Sequence, residues 1–408
     1  MEVPEIAHLK VVIQCSVFCG VWPMVYNRND KRTVNIWYYI WSWISCAICF
    51  CYLLSSWTGV YDNIVHDFDV QTCSQSIMSC CRQTIYIARI FYLWKEDTIN
   101  LLRGIKKREE QIYDSQDKDI IDIMNTNIKN NRKLDWWYIL FQMGVVFFYM
   151  TLAPYLFPTE NVILQDTNTT VSQRSLPVKY WFPFDEEKHF NIAFGWEIFS
   201  LMLAGQTSFA LDLFFFSSLA FILGQVKILR FMLDNFEKYR AKAEAQEKCT
   251  RSTADLLTLK LFICEHQRLL RFINDFNSCM RTLVLLDFFQ TSLQIGVLIM
   301  YDLYELKRDN LLLPALGLFY LILTGGNVAI YYWYGDEITS ESYDLADAIY
   351  DIKWYNKSKE FKKMLSILLT RCHTVVGIEI GGITIMSRNI CIGLFKGAYT
   401  FVQFALQM

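Results

Sequence analysis

The sequence predicts an all-α membrane protein with seven spanning helices, and three observations carry that prediction. Of its 408 residues 53% are hydrophobic, 16% aromatic and only 20% charged, too apolar a balance for a soluble globular chain. The apolar residues gather into runs of roughly 20 or more, the length that crosses the hydrocarbon core of a bilayer. The basic residues also alternate by side. Lys and Arg number 30 in the segments that would share a side with the N-terminus and 5 in those opposite, so the positive-inside rule puts the N-terminus in the cytoplasm and the C-terminus outside.

Taken in order, residues 1–33 form a cytoplasmic N-terminal segment. Within it residues 9–26 are amphipathic and interrupted by Pro23, which suits a helix lying against the bundle or membrane surface. No apolar run with a small-residue cleavage site opens the chain, so the N-terminus is expected to be retained. Residues 34–334 hold six spans. The first runs from about Val34 to Trp57. The second, about Phe68 to Trp94, carries Arg82 and Arg89 on one face; charges so placed must face protein or water, either as a structural ion pair or in conduction or ligand contact. A charged segment, 95–135, precedes the third span, Trp136 to Phe157. The loop at 158–190 is the longest on the outer side and contains the sequon Asn168, Thr169, Thr170, so Asn168 is the expected glycosylation site. A second sequon, Asn356, Lys357, Ser358, falls on the cytoplasmic side and should stay bare. The fourth span, about Asn191 to Leu223, includes Glu197, Gln206 and Asp212.

Residues 225–282 alternate charge with an apolar stripe, Leu256, Leu259, Ile263, His266, Leu270 and Ile273. That pattern predicts a water-exposed helical extension with one buried face, continuous with the fifth span, Leu283 to Tyr304. His266 reads as a packing residue. The sixth span is Leu311 to Tyr334, and residues 335–408 comprise a polar cytoplasmic anchor and the seventh span, expected from Val376 to Met408. This last stretch is apolar but places Asn389, Gly393, Lys396, Thr400, Gln403 and Gln407 along one side of a helix. A lysine and amides on such a stripe must turn toward protein or water. The face can line a pore or be buried in a bundle.

The thirteen cysteines lie mostly within apolar runs, as small hydrophobes, and neither zinc spacing nor a disulfide framework emerges. No HExxH, P-loop, dinucleotide fingerprint or serine elbow is present, so the chain is not expected to be an enzyme or to need a cofactor, and nothing suggests a nucleic-acid partner. A G-protein-coupled receptor would place its N-terminus outside and carry DRY and NPxxY sequences, which are absent.

Four stretches resemble the insect odorant receptor family. They are Leu176-Pro177 through Trp181, Pro183, Phe184 and Asp185; His266-Gln267; Trp333 through Ser342, continuing to Ala348, Ile349, Tyr350, Trp354 and Tyr355; and Phe395-Lys396 through Tyr399-Thr400. The resemblance implies a subunit of an odorant-gated, nonselective cation channel in the plasma membrane of a sensory dendrite, assembled with the shared olfactory co-receptor as a tetramer around a central pore. It implies that the odorant is held in the outer half of the helix bundle, which here supplies Ile77, Cys80, Cys81, Phe147, Phe148, Thr151, Tyr155, Phe199, Met202, Phe319 and Tyr320. These aromatics are equally open to a reading as bundle packing. Aligning Tyr399 with the family tyrosine implies a constriction at Val402 and Ala405, with the Lys396, Thr400, Gln403 and Gln407 stripe as lining or subunit contact. The alternatives are a gustatory-type channel of the same superfamily, a transporter, a co-receptor or another seven-helix receptor. The first would show TYhhhhhQF, whereas Tyr399, Thr400 and Gln403, Phe404 are too close. A transporter would show an internal repeat or paired, interrupted spans, and a co-receptor a longer segment after the fourth span.

Overall fold

The structure, a computed structural model, describes residues 6–23, 36–66, 70–156, 159–163, 170–174, 182, 184, 188–307, 312–374 and 376–407. Its helices are α1 (Lys10–Phe18), α2 (Ile36–His66), α3 (Val70–Leu93), α4 (Glu96–Asp114), α5 (Lys118–Leu156), α6 (Phe190–Asp234), α7 (Phe236–Glu247), α8 (Arg251–Lys307), α9 (Leu312–Tyr350), α10 (Lys359–Cys372) and α11 (Arg388–Gln407). Two antiparallel hairpins complete it, β1 (Thr159–Ile163) with β2 (Thr170–Arg174), and β3 (Glu379–Ile380) with β4 (Thr384–Ile385). Among the described residues, α2, α3, α5, α6, α8, α9 and α11 have spanning length.

By length and composition alone, α2, α6 and α8 are apolar enough to cross a membrane. They do so in different surroundings. The most apolar window of α6 is 94% buried within the chain, that of α2 only 33%. Thus α6 is the central post, contacted by α1, α2, α3, α5, α8 and α9. On α2 the exposed residues include Trp37, Tyr39, Ile40, Trp43, Ile44, Phe50 and Leu54, an apolar surface that only lipid or another subunit can cover. The helices α3 and α11 carry charges in or beside their apolar runs, which the remaining helices must host.

Four of the spanning helices continue well past the bilayer thickness. The longest, α8, has 57 residues, about 85 Å at 1.5 Å per residue. Its extension packs with α7, α10 and the ends of α9 and α4 around Phe236, Tyr239, Phe262 and Phe361, whose rings meet edge-on. This cluster continues the hydrophobic core into the most basic part of the chain. Ser358 caps α10 by accepting the Phe361 N–H at 3.2 Å, and Lys357 is buried on Asp255 at 2.6 Å. Lys357 and Ser358 of the second sequon are thus engaged in the packing, while Asn356 itself is exposed. Asn168 lies outside the described residues.

Three boundaries differ from the sequence expectation. The extension between the fourth and fifth spans is not one helix, because Asn235 interrupts it and Lys248 turns left-handed (φ 47) to end α7. Thr250 then receives the Thr253 N–H at the start of α8. In the long loop between α5 and α6, β1 and β2 form a five-residue ladder, Thr159 opposite Arg174 to Ile163 opposite Thr170. The last helix begins at Arg388 rather than near Val376. Gly381 and Gly382 both take positive φ, 64 and 75, and the Ile383 N–H bonds the Ile380 carbonyl, a turn that side chains with a Cβ resist. The hairpin docks on α8, where Asn277 donates to the Gly377 carbonyl at 3.0 Å and accepts the Glu379 N–H at 3.1 Å.

Candidate functional site

Two buried polar nodes hang from α3, one turn apart twice over. The first centres on Arg82. Its Nη1 donates to the Tyr320 hydroxyl at 2.6 Å and to Gln294 Oε1 at 3.0 Å, and its Nε donates to the Tyr86 hydroxyl at 2.5 Å. Gln294 donates in turn to Tyr320 at 2.8 Å, and the guanidinium lies over the rings of both tyrosines. Among the described residues no carboxylate pairs with it. A cation so buried is held by hydroxyls, an amide and π-faces, which joins α3, α8 and α9.

The second node centres on Arg89, which pairs with Asp212 of α6 at 2.8 Å and Asp287 of α8 at 2.6 Å. Asp212 also accepts the Tyr331 hydroxyl at 2.6 Å and the Tyr138 hydroxyl at 3.1 Å. Five helices, α3, α5, α6, α8 and α9, meet there. A cavity of about 50 Å³ beside Asp287 and Tyr331 has room for a few water molecules but not an odorant. The structural ion-pair reading of the two arginines thus describes Arg89, whereas Arg82 is a hydroxyl-held cation.

The residues expected in the outer pocket are distributed unevenly. Tyr320 belongs to the Arg82 node, and the adjoining Phe319 meets Phe141 of α5 with ring centroids 5.5 Å apart. Cys80 is buried, 2.8 Å from the Ser56 hydroxyl, and Ile77, Cys81 and Met202 are half-buried. Phe147 and Phe199 are 69% and 48% exposed, so neither is enclosed within the single chain. The side chains of Phe148, Thr151 and Tyr155 lie outside the described residues. Sequence reading missed Gln294, Tyr86 and Thr324, the last accepting from Arg82 Nη1 at 3.5 Å; their only signal was polarity within apolar runs.

On α11 the phase is set by packing. Cys391, Leu394, Ala398 and Val402 are buried against α8 and α9, at the spacing of one helix face. Val402, expected at the constriction, is 5% exposed in the isolated chain and belongs to this packed face. Lys396, Tyr399, Thr400 and Gln403 are exposed. Gln403 donates to the Tyr399 hydroxyl at 2.8 Å. Lys396 makes no ion pair among the described residues, and Asp212, an acid within the spans, is taken by Arg89. The side chains of Ala405 and Gln407 lie outside the described residues.

The start of α11 is gripped by the acidic run of α9. Arg388 pairs with Asp336 at 3.0 Å and Glu337 at 3.2 Å and stacks on Trp333 with its guanidinium carbon 4.2 Å from the ring centroid. One and two turns on, Glu341 and Asp344 bind Arg230 of α6 at 2.9 and 2.6 Å. The stretch Trp333 to Asp344 is therefore a clasp that ties α6 and α11 to α9. Nearby His266 lies 3.5 Å from the Cys372 sulfur, and burial beside Arg371 lowers its pKa to about 4.

The fold and its nodes define a class: a seven-helix membrane protein with long helical extensions on one side of the bundle and a last helix that exposes a polar stripe. The 7tm Odorant receptor family model matches residues 68–399, and the chain belongs to that family. Curated relatives include Odorant receptor 10 of Aedes albopictus, 24% identical over 46% of this chain and 48% of that one, and Odorant receptor 63a of Drosophila melanogaster, 22% identical over 32% and 31%. These matches span half or less of the relatives' length. The olfactory receptor OR5 of Machilis hrabei, solved in complex with eugenol, is 13% identical but superposes with a TM-score of 0.77 over 98% of this chain and 97% of that one. The structure of the same receptor described without eugenol gives 0.73.

Proposed function

We propose that the chain is a ligand-tuned subunit of an odorant-gated, nonselective cation channel. It would bind a small volatile in the outer half of the bundle and work with a co-receptor in a tetramer at the plasma membrane of a sensory dendrite. The observation that carries this reading is the exposed stripe Lys396, Tyr399, Thr400 and Gln403 on an otherwise apolar, membrane-length helix. Such a stripe cannot face lipid; it needs a water-filled axis or neighbouring subunits. The eugenol complex of the Machilis receptor supports a volatile as ligand. The Arg82 node shares α3 and α9 with the proposed pocket residues, and Tyr320 belongs to both, so a ligand that disturbs its hydroxyls can favour one packing of the bundle. Gating requires that differential, since equal affinity for open and closed forms shifts nothing.

Co-expression with an olfactory co-receptor in oocytes, under an odorant panel, tests the proposal. Inward currents that need both subunits and a particular odorant are expected. Currents identical to those of co-receptor alone, with this chain at the surface, would overturn it.

A further inference from the structure

The face of α5 below its membrane-length part carries a feature that neither odorant binding nor conduction uses. Lys129, Arg132, Lys133, Trp136, Trp137 and Leu140 follow one another at helical spacing, and all line an open groove of about 570 Å³. The groove is walled by Ala7 of the N-terminal segment and Tyr113 of α4. No acidic side chain is among its lining residues. Lys129 and Lys133 are exposed and make no ion pair among the described residues. Arg132 gives its Nη2 to the Ala7 carbonyl at 2.9 Å, while its buried Nε has no partner.

The neighbouring carboxylates are already engaged. Glu109 of α4 accepts the Ala7 and His8 N–H groups at 2.8 and 3.0 Å. Asp135 accepts from Asn131 at 3.3 Å and from Ser217 at 3.5 Å. The groove therefore presents three cations with unspent donors, and among the described residues no carboxylate forms an ion pair with Lys129 or Lys133, while Glu109 and Asp135 near Arg132 are engaged elsewhere.

We propose that this groove binds the phosphorylated headgroup of an anionic phospholipid, such as a phosphoinositide, from the bilayer leaflet on the basic side of the bundle. Two features favour a lipid over a soluble phosphate. Trp136 and Trp137 are 54% and 75% exposed, and tryptophan at that level belongs to the membrane interface. Directly beyond them Leu140, Met143 and Phe147, 67%, 53% and 69% exposed, run along the same face of α5. They give acyl chains an apolar track that starts at the headgroup cradle. Basic clusters beside a span on the cytoplasmic side are suited to such headgroups, each Lys or Arg adding about fivefold to binding. The Arg132 bond to Ala7 means that an occupied groove also steadies the N-terminal segment against α5.

The test uses the full-length chain co-purified with its co-receptor, in phosphatidylcholine nanodiscs with and without phosphatidylinositol 4,5-bisphosphate. Native mass spectrometry counts bound lipid, and a photoactivatable analogue of the same lipid maps the contact. Label within residues 125–140, and a drop in affinity of roughly 10- to 30-fold in Lys129→Gln/Lys133→Gln, are expected. Label confined to other segments of the wild-type complex would overturn the proposal, whether or not the double variant folds. So would unchanged binding in a double variant that assembles normally. Inositol trisphosphate competing as well as the intact lipid would show a soluble-phosphate site, and would overturn the lipid assignment. Odorant currents are not the readout, so failure here leaves the channel reading untouched.

Discussion

At the scale of single residues, the chain places two guanidiniums in its apolar interior and treats them differently. Arg89 has two carboxylates, so removing either still leaves a one-to-one ion pair, and the loss is that of a charge-assisted hydrogen bond, roughly 1.5–3 kcal/mol. Asp212→Asn, which also weakens the acceptor for two tyrosines, should lower the melting temperature of the detergent-solubilised protein more than Asp287→Asn. Equal melting of both would mean that the tyrosine bonds add nothing. Arg82, held by neutral partners, is softer. Tyr320→Ala should shift the odorant dose response by roughly 10- to 200-fold while surface levels hold; an unchanged response would move the ligand elsewhere. His266, with a pKa lowered to about 4, is neutral when folded. The unfolded chain takes up its proton near pH 6.5, so this contribution to stability is whole above that pH and is lost as pH falls from 6.5 toward 4. His266→Asn should flatten melting temperature across that window, and a profile as steep as wild type would discount the residue.

At the scale of elements, α11 shows what a sequence can and cannot reveal about a helix. Its polar stripe was legible because Asn389, Lys396, Thr400 and Gln403 recur at helical spacing. Which apolar flank turns inward was not, since that is decided by the surfaces of α8 and α9, more than 50 residues away in sequence. Val402→Ser should therefore act on packing and reduce surface expression. On the proposed pore-lining role of the stripe, Gln403→Ala and Lys396→Gln should alter permeation, the latter raising conductance or divalent permeability. Currents recorded beside surface biotinylation separate these outcomes. Normal surface levels with a large current in the absence of odorant from Val402→Ser would return that residue to the gate. The start of α11 was hidden for another reason: residues 376–387 are apolar enough to read as helix, and only the consecutive glycines at 381 and 382 hinted at a turn. Similarly, the acidic run after Trp333 was recognisable as a motif, but its partners Arg388 and Arg230 approach it from both directions along the chain.

For the whole molecule, the seven spans and the basic-side extension could be read from hydropathy and charge, because both obey the bilayer directly. The partners of Arg82 and Arg89 could not, because side-chain pairing between distant spans leaves no local pattern. Orientation makes its own prediction. Expressed in insect cells, the chain should shift in mobility on glycosidase treatment, the shift should vanish in Asn168→Gln, and Asn356→Gln should change nothing. A shift lost in Asn356→Gln would invert the topology.

The Arg89 node also bears on how the chain is made. Asp212 is 123 residues downstream of Arg89, and Asp287 follows further still. At roughly 5–20 residues per second of synthesis, α3 waits many seconds before either acid leaves the ribosome, and it carries a second guanidinium meanwhile. A helix with two unneutralised charges is a poor independent occupant of the bilayer. The insertion machinery must retain α3, or let it linger at the membrane edge, until α6 and α8 arrive to claim it. Nascent fragments that stop before α6 should accordingly be destroyed by quality control, whereas those extending through α8 escape it.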